Sequence, residues 1–238
     1  MPETPKETVE KYIDSIDQSL IDRYRQYWAT IKPKTPAEVY ERWIFAFLSV
    51  HTTWQRNVSS FQLLHEKKVP ANKAELFDII ASAGVGLHRM RTDGIWKFHF
   101  DFWANPTAWM YDGQSSWADF RDRLMPRLHG LKEAKTSFAL ELCYPDECGV
   151  VCLDTHMLQL YGCAKKGSAV SPSKYREMEA HWIACCQKRQ LPSPLVRHVY
   201  WDKVQQQPDT KYWTFVFEQP QLELPIDNNE VFSQKALA

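Results

Sequence analysis

The sequence predicts an all-α protein, and three observations predict it. Apolar residues recur at helical spacing along most of the chain, helix-start signatures precede those runs, and stretches in which apolar and polar residues alternate are nearly absent. A chain of 238 residues is long enough to bury a substantial core in one or two subdomains.

Residues 1–34 precede the first strong helix start and are assigned as an N-terminal helical extension. Thr35-Pro36-Ala37-Glu38 is that start: Thr35 can accept from the amide of residue 38, Pro36 fits the first turn, and Glu38 can reach back to the cap. Tyr40, Trp43, Ile44, Phe47 and Leu48 then recur at helical spacing, which makes this a core helix. Asn72 with Glu75 repeats the capping logic ahead of Leu76, Ile79, Ile80 and Ala83, and Gly84 can close that helix in a left-handed conformation.

Trp117, Phe120, Leu124 and Met125 form an apolar stripe up to Pro126, and Ala134, Phe138, Ala139 and Leu142 form another after Lys132. The residues between the stripes make a hairpin of two helices. Pro145 and Gly149 mark a loop, a short apolar strand-like connector follows, and Thr155 to Tyr161 reads as a helix opened by Asp154. Ser171-Pro172-Ser173 precedes a further helix through Met178 and Ile183. After Pro208 the pattern decays. Residues 35–207 are therefore assigned as the core and 208–238 as a partly disordered C-terminal extension, and no internal repeat is present.

Charge balances at 29 basic and 29 acidic residues, so no global field draws the chain to nucleic acid, and any such affinity must come from local clustering. Arg121, Arg123, Arg127, Lys132 and Lys135 supply one cluster. No apolar stretch is long enough to span a bilayer, and the first residues lack the apolar core of a secretory signal, so the expectation is a soluble intracellular protein with no membrane partner. The six cysteines show no Cys-x-x-Cys spacing, which suggests reduced thiols and neither a zinc site nor a disulfide framework.

The most informative feature is a pair. Lys132 stands in Arg127-Leu128-His129-Gly130-Leu131-Lys132-Glu133-Ala134, and Asp154 follows 22 residues later in Val151-Cys152-Leu153-Asp154-Thr155-His156-Met157. An amine at the start of one helix and a carboxylate at the start of another can act on one sugar carbon: the carboxylate stabilises positive charge, and the amine attacks to give a Schiff base.

These two segments, in a likeness running from about Glu38 to about Val204, resemble the helix-hairpin-helix DNA glycosylase superfamily, and within it the compact class of 8-oxoguanine DNA glycosylase/lyases. Gly130, Lys132 and Ala134 fit the hairpin Gly-x-Gly-x-Lys-x-Ala, with Leu128 in place of its first glycine, and Asp154 and His156 fit the second segment. The resemblance implies two helical subdomains flanking a cleft. It also implies double-stranded DNA with a flipped target base as partner, a monomer, and no cofactor or metal. Lys132 would be the nucleophile, expected beneath apolar neighbours at the positive end of the helix beginning at Glu133, and Asp154 the stabiliser and proton acceptor. The iron–sulfur cluster of some relatives needs four cysteines after that aspartate, and three follow here.

Leu48-Ser49-Val50-His51-Thr52-Thr53 is similar to the family segment whose side chain fills the gap left by a flipped base, with His51 in the amide position. The resemblance further implies Gly130 as a DNA contact and His156 as packing beside Asp154 or contacting a phosphate, and Arg127 and Lys135 of the basic cluster are assigned as DNA contacts beside them. Trp54, Trp201 and the region from Trp96 to Trp109 are candidates for stacking on the base. The leading expectation is a base-excision glycosylase with abasic-site lyase activity on an oxidised purine. Two others stand beside it: a phage-type transferase that hypermodifies thymine in DNA on the same fold, and a hairpin module that binds DNA without chemistry.

Overall fold

In the computed structural model the chain is described over residues 3–67, 69, 72–163 and 170–206, so the C-terminal extension expected from residue 208 lies outside the described residues. The architecture is all-α, with no strand among the described residues. Eleven α-helices, again among the described residues, fall into two groups by what each buries against what.

The first group is consecutive in sequence: α3 (Pro36–Leu48), α4 (Trp54–Lys67), α5 (Lys73–Ser82), α6 (His88–Ala104), α7 (Trp117–Leu124) and α8 (Glu133–Cys143). At its centre α3 packs on α4, α6 and α8. Its last six residues, Trp43 to Leu48, are all buried, because three neighbouring helices surround it rather than one. Trp43, Phe98 and Trp109 meet there, with Trp109 edge-on to Phe98 at 4.9 Å between ring centroids. The predicted caps form: Thr35 and Glu38 make a reciprocal capping box, and Asn72 accepts from the Ala74 amide at 2.8 Å. Gly84 turns out of α5 at φ +67°.

The second group joins the two ends of the chain. It contains α1 (Pro5–Asp14), α2 (Gln18–Ile31), α9 (Thr155–Leu160), α10 (Pro172–Lys188) and α11 (Ser193–Val204). Here α1 packs on α9 and α10, and α2 on α11. Trp28 of α2 lies over His198 of α11 at 4.3 Å, and the Tyr24 hydroxyl donates to Asp202 at 2.5 Å. Residues 5–31 thus bury their apolar face on helices from the far end of the chain, with Tyr24 and Asp202 standing 178 residues apart, a partnership no local pattern displays.

Candidate functional site

Asp154 opens α9 as its N-cap. Its Oδ1 accepts from the amides of His156 at 3.0 Å and Met157 at 3.1 Å, satisfying two of the donors that begin the helix. Among the described residues Oδ2 carries no hydrogen bond. One oxygen is therefore fixed by the helix and the other is available to a ligand.

The buried connector from Val150 to Leu153 holds this cap in place, and each of its last three amides is met by a buried side chain. The Val151 amide donates to Glu179 at 2.8 Å, that of Cys152 to Glu141 at 2.9 Å, and that of Leu153 to the Tyr175 hydroxyl at 3.1 Å. Each glutamate is paired with a buried arginine, Glu179 with Arg121 and Glu141 with Arg197, both at 2.6 Å. Burial pushes the Glu141 carboxyl up to about 7, against the opposing pull of Arg197. Reading helical stripes misses these groups, since a charged residue on an apolar face is the one signal they leave.

Asp154 lines a cleft of about 100 Å³, whose walls come from the end of α3 and the start of α4, from α8, from the connector, and from α11. Trp54, Trp201 and Lys135, each anticipated from sequence, line the same cleft, together with Phe138, Cys152 and Arg197. The two tryptophan rings meet edge-on at 5.5 Å, and the Lys135 ammonium lies 5.2 Å from the centre of the Phe138 ring. Cys152 is a second nucleophile by residue type, but burial pushes its thiol up to about 12, so it stays protonated and unreactive.

The hairpin is built by close packing against α6. A Cβ on Gly94 would stand 2.4 Å from the His129 carbonyl, so only glycine lets the hairpin backbone approach this near. Gly130 takes φ +88° beside Met90. Leu128, at the position of the missing family glycine, buries its side chain, and its amide donates to Met125 at 3.1 Å. Lys132 is the N-cap of α8, in extended backbone, with no side-chain cap bond. Its side chain is exposed, which corrects the expectation of burial beneath apolar neighbours, because Leu128 and Leu131 take the inward positions. Lys132 is not among the cleft-lining residues; Lys135, three positions on, is.

Arg127, expected on a phosphate, instead forks onto Asp101 at 2.8 and 2.7 Å and covers the Trp109 ring at 4.5 Å, bracing the hairpin to α6. His51 is exposed in the turn after α3 at φ +47°, next to Thr52 and Thr53, which line the cleft. The buried guanidinium of Arg91 donates to the Val50 carbonyl and pins that turn. His156 points to α11, where its Nε2 accepts from the Gln205 side-chain amide at 2.8 Å.

No protein-family model and no curated protein matches the sequence. Solved structures match the fold. The 8-oxoguanine DNA glycosylase of Thermotoga maritima aligns over 84% of this chain and 97% of its own, with a TM-score of 0.68 at 14% identity. The Methanocaldococcus jannaschii 8-oxoguanine glycosylase/lyase, in complex with a 15mer DNA containing 8-oxoguanine, aligns over the same shares with a TM-score of 0.68 at 18% identity. A second structure of the Methanocaldococcus jannaschii enzyme covers 84% of this chain and 92% of its own, with a TM-score of 0.66 at 18% identity. The chain thus has the all-α fold of these solved 8-oxoguanine DNA glycosylases.

Proposed function

We propose that the chain is a DNA glycosylase with abasic-site lyase activity, excising an oxidised purine such as 8-oxoguanine from double-stranded DNA. One observation carries the reading: a carboxylate with a free oxygen, Asp154, faces a cleft walled by two tryptophans, in a fold shared with enzymes of that name. Aromatic faces suit a flipped base, and the free carboxylate oxygen suits a sugar carbon on which positive charge develops.

In this reading the amine of Lys132 attacks the sugar C1′. The bond from C1′ to the base nitrogen breaks, and its electron pair leaves with the base, which takes up a proton. The nitrogen gives up its protons, with Asp154 as first acceptor, as the sugar ring opens to a Schiff base. Loss of a proton from C2′ then expels the 3′ phosphate and nicks the strand. A base entering between the Trp54 and Trp201 rings would part their edge-on contact.

A duplex carrying a single 8-oxoguanine, incubated with the protein and no alkali, tests this. The expected product is a nicked strand, slowed in Asp154→Asn. An intact duplex overturns the proposal and leaves base modification or binding without chemistry.

A further inference from the structure

Where α1 packs on α10, three side chains able to ligate a metal converge. Glu10 Oε1 lies 3.1 Å from His181 Nε2, and Cys185 Sγ lies 3.7 Å from the same nitrogen. All three ligand atoms lie within 4.8 Å of one another. His181 and Cys185 are four residues apart on α10 and so share a face, while Glu10 reaches them from α1. None of the three lines the Asp154 cleft.

The imidazole is oriented for this. The Tyr161 hydroxyl lies 3.0 Å from the Met178 carbonyl and 3.0 Å from His181 Nδ1. A carbonyl can only accept, so the single phenol proton goes to Met178 and the phenol oxygen accepts from Nδ1–H. In the neutral ring Nε2 then carries the lone pair, and it faces a carboxylate oxygen and a sulfur. A proton on Nε2 would make this contact a hydrogen bond to Glu10, and a divalent ion in the same place would bridge the nitrogen, the carboxylate and the sulfur together. The arrangement of a second hydrogen-bonded group fixing the tautomer of a ligating histidine recurs at metal sites.

We propose that Glu10, His181 and Cys185 bind one divalent ion of the zinc class, with water as the fourth ligand. Tetrahedral zinc with bonds of about 2.0–2.3 Å holds neighbouring nitrogen, oxygen and sulfur ligands roughly 3.3–3.6 Å apart, and the His181–Glu10 and His181–Cys185 separations of 3.1 and 3.7 Å lie close to that range. Imidazole with thiolate selects zinc over calcium or magnesium. Asp14, one turn beyond Glu10 and 3.8 Å from Arg189, adds a second carboxylate nearby, and Lys188 follows Cys185 on α10. Burial, then Glu10 and Asp14, raise the Cys185 thiol, so the metal displaces a proton as it binds. The ion would clamp the N-terminal helix to α10 and, through Tyr161, to the end of α9.

Cobalt(II) titration of the full chain, stripped with chelator, reads this directly. One equivalent is expected to give a thiolate-to-cobalt charge-transfer band and the visible bands of tetrahedral cobalt, both bleached by zinc. Cys185→Ser should lose the charge-transfer band and Cys163→Ser keep it. Glu10→Gln, at an exposed position where the fold is not at stake, should weaken affinity at least tenfold, and Tyr161→Phe by about 10–100-fold. Absence of the band in the unmutated chain overturns the site, as does a band that survives Cys185→Ser or an affinity unmoved by Glu10→Gln. The outcome is independent of whether the cleft excises a base.

Discussion

Glu141 accepts the Cys152 amide at 2.9 Å, two residues ahead of Asp154, and is itself held by Arg197 at 2.6 Å. The acid that opens α9 is therefore positioned by an ion pair in the core rather than by its own loop. Removing one member leaves a buried charge unpaired. Arg197→Met is expected to destabilise the protein by about 3–5 kcal/mol, and pairing it with Glu141→Leu to restore part of that loss. Urea unfolding of the single and double variants measures both, and a single variant as stable as the parent contradicts the account.

His198 supplies a pH signature. Burial, with Arg197 beside it, holds this imidazole well below the ordinary histidine range, so it is neutral in the fold and takes a proton only on unfolding. Its contribution to stability is complete above an unfolded pKa of about 6.5 and is lost as pH falls below it, by about 1.36 kcal/mol per unit. Across pH 7.5 to 5.5 the raised Glu141 carboxyl contributes with the opposite sign, so the readout of urea unfolding is the difference between the parent and His198→Gln, in which the His198 share of the slope, up to one proton, should be missing. An unchanged slope in the variant contradicts the assignment.

Gly94 sets the distance between α6 and the hairpin. Because a Cβ there meets the His129 carbonyl at 2.4 Å, Gly94→Ala has to push the hairpin outward, costing about 1–3 kcal/mol. Strand scission should fall by more than the loss of folded protein explains, since Lys132 moves with the hairpin. Activity per folded molecule equal to the parent's contradicts that coupling.

Arg127 and Lys135 separate two meanings of a basic residue. Arg127 is committed to Asp101, so Arg127→Gln should leave the salt dependence of DNA binding unchanged. Lys135 lines the cleft, and Lys135→Gln should lower the slope of log K against log salt by about 0.9, one phosphate's worth. Binding isotherms at several salt concentrations decide between them, and the reverse pattern contradicts the placement.

Much of the first helical group was legible because local rules govern it. Thr35 with Glu38, Asn72 and Gly84 announce helix ends through backbone donors and acceptors a few residues away. Asp154 was legible as the residue that opens a helix, and Trp54 and Trp201, expected as base-stacking candidates, and Lys135, expected as a DNA contact, line the cleft beside it. The outward side chain of Lys132 was not legible, since it depends on which hairpin leucines turn inward. Nor were the Glu141–Arg197 and Glu179–Arg121 pairs, whose partners lie 56 and 58 residues apart. Glu10 and His181 stand 171 residues apart, beyond any cysteine-spacing rule.

In the proposed reaction the amine of Lys132 and the carboxylate of Asp154 act on the same sugar carbon. Borohydride reduction during incubation with an 8-oxoguanine duplex, followed by peptide mapping of the trapped adduct, tests it most directly. A covalent adduct on Lys132 is expected, lost in Lys132→Gln and formed more slowly in Asp154→Asn. An adduct mapped to Lys135, or none at all from protein that binds the duplex, contradicts it.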